Sequence, residues 1–447
     1  MISETQGKHI AAVVGAGPAG LYAARQLALA GIQVAILNRD IKPGGVAEYG
    51  IYPNKYKIKE GLRNQFRQIL AMPEIKYYGN VSVGQSGDIT LDELRALGFQ
   101  AILASVGAQG TKWLNLPGEE LEGVYHAKDI VYHYNKLPPF SKQEYLVCCR
   151  VALIGAGNVM MDIAHWLIRD MKVNEVIAIA RRGPAEVKFA RKEMEYVIGN
   201  FDLEAFDAEM SRCAPVMQGV GQDVQAAKDY ILSALPRALE PISKTRFRFE
   251  FLTSPVRFLG DDMGRVIGIE VENNTLVSEE GETRVHGLGK KRILDVDAVI
   301  YCIGDKVDMD FGLPVHKNEY VKNPEPRFPV DGLSYEAYDP AVGKAVEGFF
   351  LAGWSRKASS GLVGVARKDG ENVADAMLKY LRTLPKVSVE SPIINRLEDS
   401  LKKSGKEIVS KDDVARLVTV EQAEADRLGL EDYKMETNEE MLAAIGR

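Results

Sequence analysis

The sequence predicts an α/β protein in which one parallel-sheet domain interrupts another. Three observations carry that expectation: an apolar strand, glycine turn, helix and second strand at the N-terminus; a repeat of the same unit opening at Gly155; and a late buried strand matched to each copy. A chain of 447 residues accommodates two large domains.

His9 to Val14 is the first apolar run, and Gly15, Gly17 and Gly20 follow it in VVGAGPAG. Leu21 to Ala30 reads as a helix ending at Gly31, and Gln33 to Leu37 as the returning strand, a βαβ unit of about 30 residues. The second copy runs from strand Val151 to Ile154 through Gly155, Ala156 and Gly157 into a helix from Val159 to about Asp170. It returns as strand Glu175 to Ala180. The matched late strands are FQAILASVGA, Phe99 to Ala108, and VDAVIYCIGD, Val296 to Asp305, which leave through Gly107 and Gly304. Between Phe247 and Val285 the segments FRFEFL, SPVRFL and GRVIGIEVEN alternate as antiparallel strands. Turns are expected there at Gly260 to Gly264 and near Asn273 to Asn274. GFFLAGW is a further buried strand, and Gly361 to Leu381 a helix entered through glycine. Beyond Pro385 the tail is charged and helix-forming, and reads as a packed surface appendage.

Composition narrows the function classes. Hydrophobic residues at 46% and charged residues at 26% describe a globular chain rather than a disordered or membrane-embedded one. With 56 Lys and Arg against 62 Asp and Glu, the net charge of −6 gives no overall field for a polyanion, so no nucleic-acid partner is expected. The uncharged stretch Ile10 to Ala24 is broken by Gly15, Gly17, Pro18 and Gly20, is too short to span a bilayer, and follows the acidic Glu4; no membrane segment is expected. Four cysteines, two of them the neighbours Cys148 and Cys149, are too few for a disulfide framework and fit a reducing cytoplasm. His9, His126, His133, His165, His286 and His316 do not fall at metal-ligand spacing, and no metal site is expected.

The two glycine turns point to dinucleotides. Gly15 suits the tight turn, Gly17 the close approach of backbone N–H groups to a pyrophosphate, and Gly20 close helix–strand packing, while the helix N-terminus offers unpaired donors. Where an acidic residue normally contacts the ribose, LNRD places Asn38, which can both donate and accept. The second turn, LIGAGNVMMD, keeps Gly155 and Gly157 but has Met160 as the third small residue's replacement. Arg181 and Arg182 follow the second strand of that unit where a NAD site would present a carboxylate; a guanidinium fork suits a 2′-phosphate, so NADPH is expected over NADH. Two Rossmann-like dinucleotide-binding domains, three-layer ββα, therefore imply FAD at the first and NADP(H) at the second.

At this point the chain resembles the adrenodoxin reductase type of ferredoxin-NADP reductase, and more distantly the flavoprotein small subunit of glutamate synthase. The resemblance rests on GAGPAGLYAA, GGVAEYGIYP, ASVGAQGTKWLNLPGEELEGVYHAKDIVYHYN, GAGNVMMDIA, RRGPAEVKF, FRFEFLTSPV and GWSRKASSGLVG in conserved order from about His9 to Leu381. It implies a discontinuous FAD domain, residues 1–108 and 324–447, interrupted by an NADP domain, residues 109–323. It implies that Gly15, Gly17, Pro18, Ala19 and Gly20 hold the FAD pyrophosphate and Asn38 its ribose. Gly45, Val46, Val81, Gly107 and Ala108 would line the flavin nucleotide, and Trp354, Gly361, Leu362 and Val363 would approach the flavin ring. A helix opening at Gly361 would aim its positive end at the reduced ring. For NADPH the implied positions are Gly155, Ala156, Gly157, Asn158 and Val159 on the pyrophosphate and Arg181 and Arg182 on the 2′-phosphate. Glu193 would lie near the nicotinamide half and Asp162 would orient polar groups. Lys55 in YGIYPNKYK replaces a histidine of the relatives and could supply charge there.

Hydride transfer between nicotinamide and flavin needs positioning rather than a protein nucleophile, which agrees with a chain that shows no triad. No C-x-x-C occurs, so no dithiol relay is available and the implied acceptor is ferredoxin or a similar acidic iron–sulfur protein. Its docking calls for a basic patch, with Lys188, Arg191 and Lys192, or Lys244, Arg246 and Arg248, as candidates. Two other readings share these features: an electron-input subunit of a larger oxidoreductase, separable by whether the chain alone reduces ferredoxin, and a non-catalytic flavin-binding protein, against which Arg181 and Arg182 argue.

Overall fold

The computed structural model describes residues 7–359, 361–388 and 392–447; Glu4, and Ser360 within GWSRKASSGLVG, lie outside them. The chain forms two units, one of residues 1–110, 132–142 and 305–447, the other of residues 111–131 and 143–304.

The first unit is built on a six-stranded sheet. Its order is Glu336–Asp339, Lys344–Leu351, Ala101–Ala104, Ile10–Val14, Gln33–Asn38, Ile75–Gly79, all parallel except the first pair. Strands covered on both faces must be apolar throughout, as IAAVV and AILA are. Their period of two sends Ala11 and Val13 to one face with Leu21, Leu27 and Met377, and Ile10, Ala12 and Val14 to the other with Phe99 and Leu397.

The tail is more than a surface appendage. Helices Ile393–Lys403, Lys411–Leu428 and Asn438–Ala444 bury Leu397 and Leu401 on one side of the sheet and Val414, Leu417 and Met441 on the other. Capping boxes at Ser410 with Asp413 and at Thr437 with Glu440 start the last two. The tail also secures Tyr132–Lys142: the Ser141 hydroxyl donates to the Glu436 carbonyl, and Lys136 and Lys142 pair with the Glu436 carboxylate.

The second unit repeats the plan with five parallel strands in the order Val124–His126, Ala298–Tyr301, Arg150–Ile154, Glu175–Ile179, Arg246–Glu250. An antiparallel sheet of Thr253–Gly260, Val266–Glu279 and Glu282–Asp295 is added. Two expectations are corrected here. FRFEFL supplies the edge strand of the parallel sheet, because Phe247 and Phe249 are needed in that core beside Phe201 and Phe206. Asn273 and Asn274 lie inside a long strand instead of at a turn, opposite a bulge in the facing strand, where Glu272 pairs with Lys291 and Asn274 with Gly287. The Asn274 amide donates to the Arg181 carbonyl and Ser254 Oγ at 3.0 and 2.8 Å, and the reversal comes at Glu280 and Gly281, both at positive φ.

Candidate functional site

In the first unit, strand Ile10–Val14 ends at Gly15, whose N–H donates to the Leu37 carbonyl at 2.7 Å. Its φ of +98° is left-handed, and a Cβ there would lie 2.5 Å from the Ser105 carbonyl oxygen. Ser105 Oγ lies 2.9 Å from the carbonyl oxygens of both Val14 and Gly15, between which its one proton is shared, locking the turn to the exit of Ala101–Ala104. A Cβ on Gly20 would sit 2.1 Å from the Gly15 carbonyl oxygen, whereas one on Gly17 would meet no protein atom within 4 Å. The turn is thus closed toward the sheet and open at Gly17, the N-cap of helix Pro18–Leu29, which has no side-chain cap. Uncapped donors at the positive end of a helix beside open space fit a pyrophosphate.

Further elements of the same unit meet at this turn. The Gly44 N–H donates to the Ala16 carbonyl at 2.8 Å, and a Cβ on Gly45 would lie 3.1 Å from Gly17 Cα, which puts the start of helix Val46–Tyr49 against it. The Gly107 N–H donates to Ser355 Oγ at 3.0 Å, and Ala108 beside it is buried. A Cβ on Gly353 would lie 2.9 Å from Ala19 Cβ, which seats the turn Gly353–Ser355, with half-buried Trp354, next to the glycine loop. Helix Val363–Leu381 presses Gly370 onto Ala19, where a Cβ would stand 2.3 Å from the carbonyl oxygen. Its N-terminus likewise lacks a side-chain cap, and Gly361 and Leu362 are exposed there.

Asn38, the residue expected at the ribose, is hydrogen-bonded within the protein. Its Oδ1 accepts the Ala16 N–H at 2.9 Å, while Nδ2 lies 2.8, 3.1 and 3.2 Å from the Asp40 carbonyl, the Lys42 carbonyl and the Tyr77 hydroxyl. The residue is buried with its amide committed inside the protein; a carboxylate would accept at Ala16 but could not donate to the carbonyls. Val81 reaches this corner through its backbone, its N–H donating to the Asn38 carbonyl at 2.9 Å, while its side chain lies in the apolar core.

The second unit rebuilds the same turn with different residues. The Gly155 N–H donates to the Ile179 carbonyl at 2.9 Å, its φ is +138°, and a Cβ would lie 2.4 Å from the Cys302 carbonyl oxygen. Gly157 is again open, with no protein atom within 4 Å of a Cβ, and is the uncapped N-cap of helix Asn158–Trp166. Val159 is exposed and Met160 wholly buried. The Lys188 N–H donates to the Ala156 carbonyl at 2.9 Å, and Asn158 Oδ1 accepts the Ala190 N–H at 2.7 Å. That bond ties the helix carrying Asp162 to the segment leading into helix Arg191–Met194, which carries Glu193; both acids are half-buried. Lys55 belongs to the first unit, at the end of the short turn Pro53–Lys55.

The arginine pair divides. Arg182 Nη1 is held by the Glu186 carboxylate and donates to the Thr283 carbonyl at 3.0 Å. Arg181 is exposed, and among the described residues its guanidinium makes no ion pair. One cation is anchored and the other available.

The docking candidates divide as well. Arg246 is neutralised by Glu175, its register partner on the neighbouring strand, and by Asp202, the N-cap of helix Leu203–Gly219; Arg248 is neutralised by Glu175 and by Glu250 of its own strand. Lys188, Arg191 and Lys192 are exposed, and Arg191 lies over the Tyr230 ring at 4.9 Å.

Sequence reasoning passed over Ser105, Ser355 and Asp369. The Asp369 carboxylate accepts the Gly353 N–H at 2.6 Å and holds Arg356 at 2.5 Å, fixing the turn that carries Trp354. The one trace in the sequence is the serine in each of ASVGA and GWS, two residues from Gly107 and Gly353.

Residues 10–199 match the pyridine nucleotide-disulphide oxidoreductase family. The chain is 27% identical to the mitochondrial NADPH:adrenodoxin oxidoreductase of Salvelinus fontinalis over 468 aligned positions, covering 96% of this chain and 90% of that protein. It is 28% identical to the NADPH-ferredoxin reductase FprA of Mycobacterium leprae, covering 83% and 84% respectively. The solved structure of Mycobacterium tuberculosis FprA in complex with NADPH superposes with a TM-score of 0.80 at 24% identity, over 98% of this chain and 99% of that one, and shares the fold. With its duplicated glycine turn inside that shared fold, the chain is similar over residues 10–199 to the pyridine nucleotide-disulphide oxidoreductase family, and along most of its length to the NADPH:adrenodoxin oxidoreductases and NADPH-ferredoxin reductases.

Proposed function

We propose that the first unit holds FAD, the interrupting unit holds NADPH, and the chain moves electrons between NADPH and ferredoxin or a similar acidic iron–sulfur carrier, in either direction. The observation that carries this reading is the repeated turn, open at Gly17 and again at Gly157, with an arginine pair after the second strand of the second copy alone.

The protein's part is to bind and orient. Gly15, Gly17, Pro18, Ala19 and Gly20 present the first helix N-terminus to the FAD pyrophosphate, with Gly45, Val46 and the Val81 backbone around the nucleotide. Gly107, Ala108, Trp354 and the helix start at Gly361, Leu362 and Val363 are assigned to the flavin ring, where a helix N-terminus stabilises negative charge. Gly155, Ala156, Gly157, Asn158 and Val159 take the NADPH pyrophosphate. Arg181 binds the 2′-phosphate, and Arg182, fixed by Glu186, shapes the loop and adds field. Asp162 and Glu193, on the two segments that Asn158 joins, are assigned to the nicotinamide half, and Lys55 to charge near the flavin. When bound, the nicotinamide supplies a hydride and the flavin converts that two-electron delivery into single-electron steps.

Lys188, Arg191 and Lys192 form the basic surface proposed for the acidic carrier. The four cysteines are all free, which supports a reducing cytoplasmic setting. The test is whether the purified, FAD-loaded chain alone reduces ferredoxin with NADPH. Turnover that falls steeply with salt is expected. Reduction of flavin without any transfer to ferredoxin would favour the electron-input subunit reading instead.

A further inference from the structure

The tail of the first unit reaches the glycine turn by two routes. Along one, Glu421 Oε2 takes Lys42 Nζ at 2.5 Å, the Lys42 carbonyl accepts Asn38 Nδ2 at 3.1 Å, and Asn38 Oδ1 accepts the Ala16 N–H at 2.9 Å. Along the other, Lys434 Nζ lies 2.8 Å from Glu48 Oε1 and donates to the Glu48 carbonyl at 2.9 Å. Glu48 sits in helix Val46–Tyr49, whose N-cap Gly45 packs on Gly17. Arg63 joins the second route, forking onto the Glu48 carboxylate with both contacts at 2.7 Å and onto Asp432 of the tail at 2.9 and 3.1 Å. Lys42, Glu48, Glu421 and Lys434 are all buried.

Buried ion pairs are a poor source of net stability, since desolvation of both charges offsets their attraction, whereas they fix geometry sharply. These pairs grip two features of one loop: the Asn38 amide that holds Ala16, and the helix start that backs Gly17. A tail serving only to cover the sheet has that role already filled by Leu397, Leu401, Val414 and Leu417.

We infer that Glu421 and Lys434 are positioning residues that set the shape of the pyrophosphate turn from the C-terminal tail, so that FAD affinity is governed by residues about 400 positions beyond the motif that binds it. This rests on the assignment of FAD to the first unit.

The experiment uses the full chain stripped of flavin, titrated with FAD, with NADP+ binding measured on the same samples. Glu421→Gln and Lys434→Met are each expected to raise the FAD dissociation constant about tenfold or more and to leave that for NADP+ within about twofold. Lys434→Arg, which keeps the cation, is expected to recover most of the FAD affinity. The pair Lys42→Met with Glu421→Leu leaves no buried charge unpaired, so it serves if a single variant does not fold, and the same loss of FAD affinity is expected. Folded variants that bind FAD as the parent does, with only a lower melting temperature, would overturn the inference. A folded parent chain that binds no FAD would sink the cofactor assignment instead.

Discussion

Gly17 and Gly20 sit three residues apart in one turn, yet a methyl group at each meets different surroundings. Gly17→Ala places its Cβ in open space, so the flavin-free protein should keep its stability within about 0.5 kcal/mol while FAD affinity falls about tenfold or more. Gly20→Ala drives a Cβ to 2.1 Å from the Gly15 carbonyl oxygen and should cost about 2 kcal/mol or more before any ligand is added. Thermal unfolding and FAD titration of both variants check the contrast. Arg181→Ala removes a charge-assisted contact of about 1.5–3 kcal/mol, so kcat/KM for NADPH should fall about 10- to 150-fold with NADH unchanged, in steady-state kinetics. A third residue carries a pH signature. Lys59 is buried with Nζ 2.6 Å from Asn135 Oδ1, and burial together with the Lys434 cation pulls its pKa down to about 6. Between about pH 6 and 10 the unfolded chain carries this proton and the folded chain does not, so stability rises with pH across that window. Relative to Lys59→Met, the parent should gain about 1.4 kcal/mol per pH unit from pH 7 to 9 in urea unfolding; parallel curves would refute the burial argument. Asn38 shows what the sequence conceals at this scale. Its position in LNRD, where the second strand ends, is readable, but that its amide serves two carbonyls and an N–H depends on a loop conformation that spacing does not encode.

At the scale of elements, the contact between helix Pro18–Leu29 and helix Val363–Leu381 sets where the second helix points. Gly370→Ala would put a Cβ 2.3 Å from the Ala19 carbonyl oxygen, and the helices must separate to accept it. A destabilisation of about 1–3 kcal/mol is expected, with weaker FAD binding because the helix start at Gly361 to Val363 shifts with its helix. Calorimetry with and without FAD separates the two effects. Period and turn chemistry revealed the βαβ units, since apolar runs bounded by glycine leave few alternatives. They do not place Asn273 and Asn274, because paired asparagines favour a turn locally while the long strand Val266–Glu279 runs straight through them, with the Asn274 amide held by Arg181 and Ser254 and the bulge in the facing strand. FRFEFL reads as antiparallel in sequence because alternation reports a half-buried strand without naming its partner, which is the parallel strand Glu175–Ile179.

For the whole molecule, the legible part was the duplication. Gly15 and Gly155 each rest on the carbonyl of the residue that follows a late strand, Ser105 and Cys302, so two distant pairs of segments imply one plan used twice. The tail was not legible in the same way. Its buried leucines lie at helical spacing that a surface helix also shows, and its buried Glu421 and Lys434 read as solvated charges until their partners, hundreds of residues away, are known. The account's central claim is that two differently equipped turns bind two different dinucleotides, and anaerobic mixing tests it most directly. FAD-loaded protein is mixed with NADPH or NADH while flavin absorbance is followed. NADPH should bleach the flavin rapidly and NADH about 10-fold or more slowly, in line with the fold-change expected from the arginine contact. Equal rates with the two nucleotides, or no bleaching with either, would contradict it.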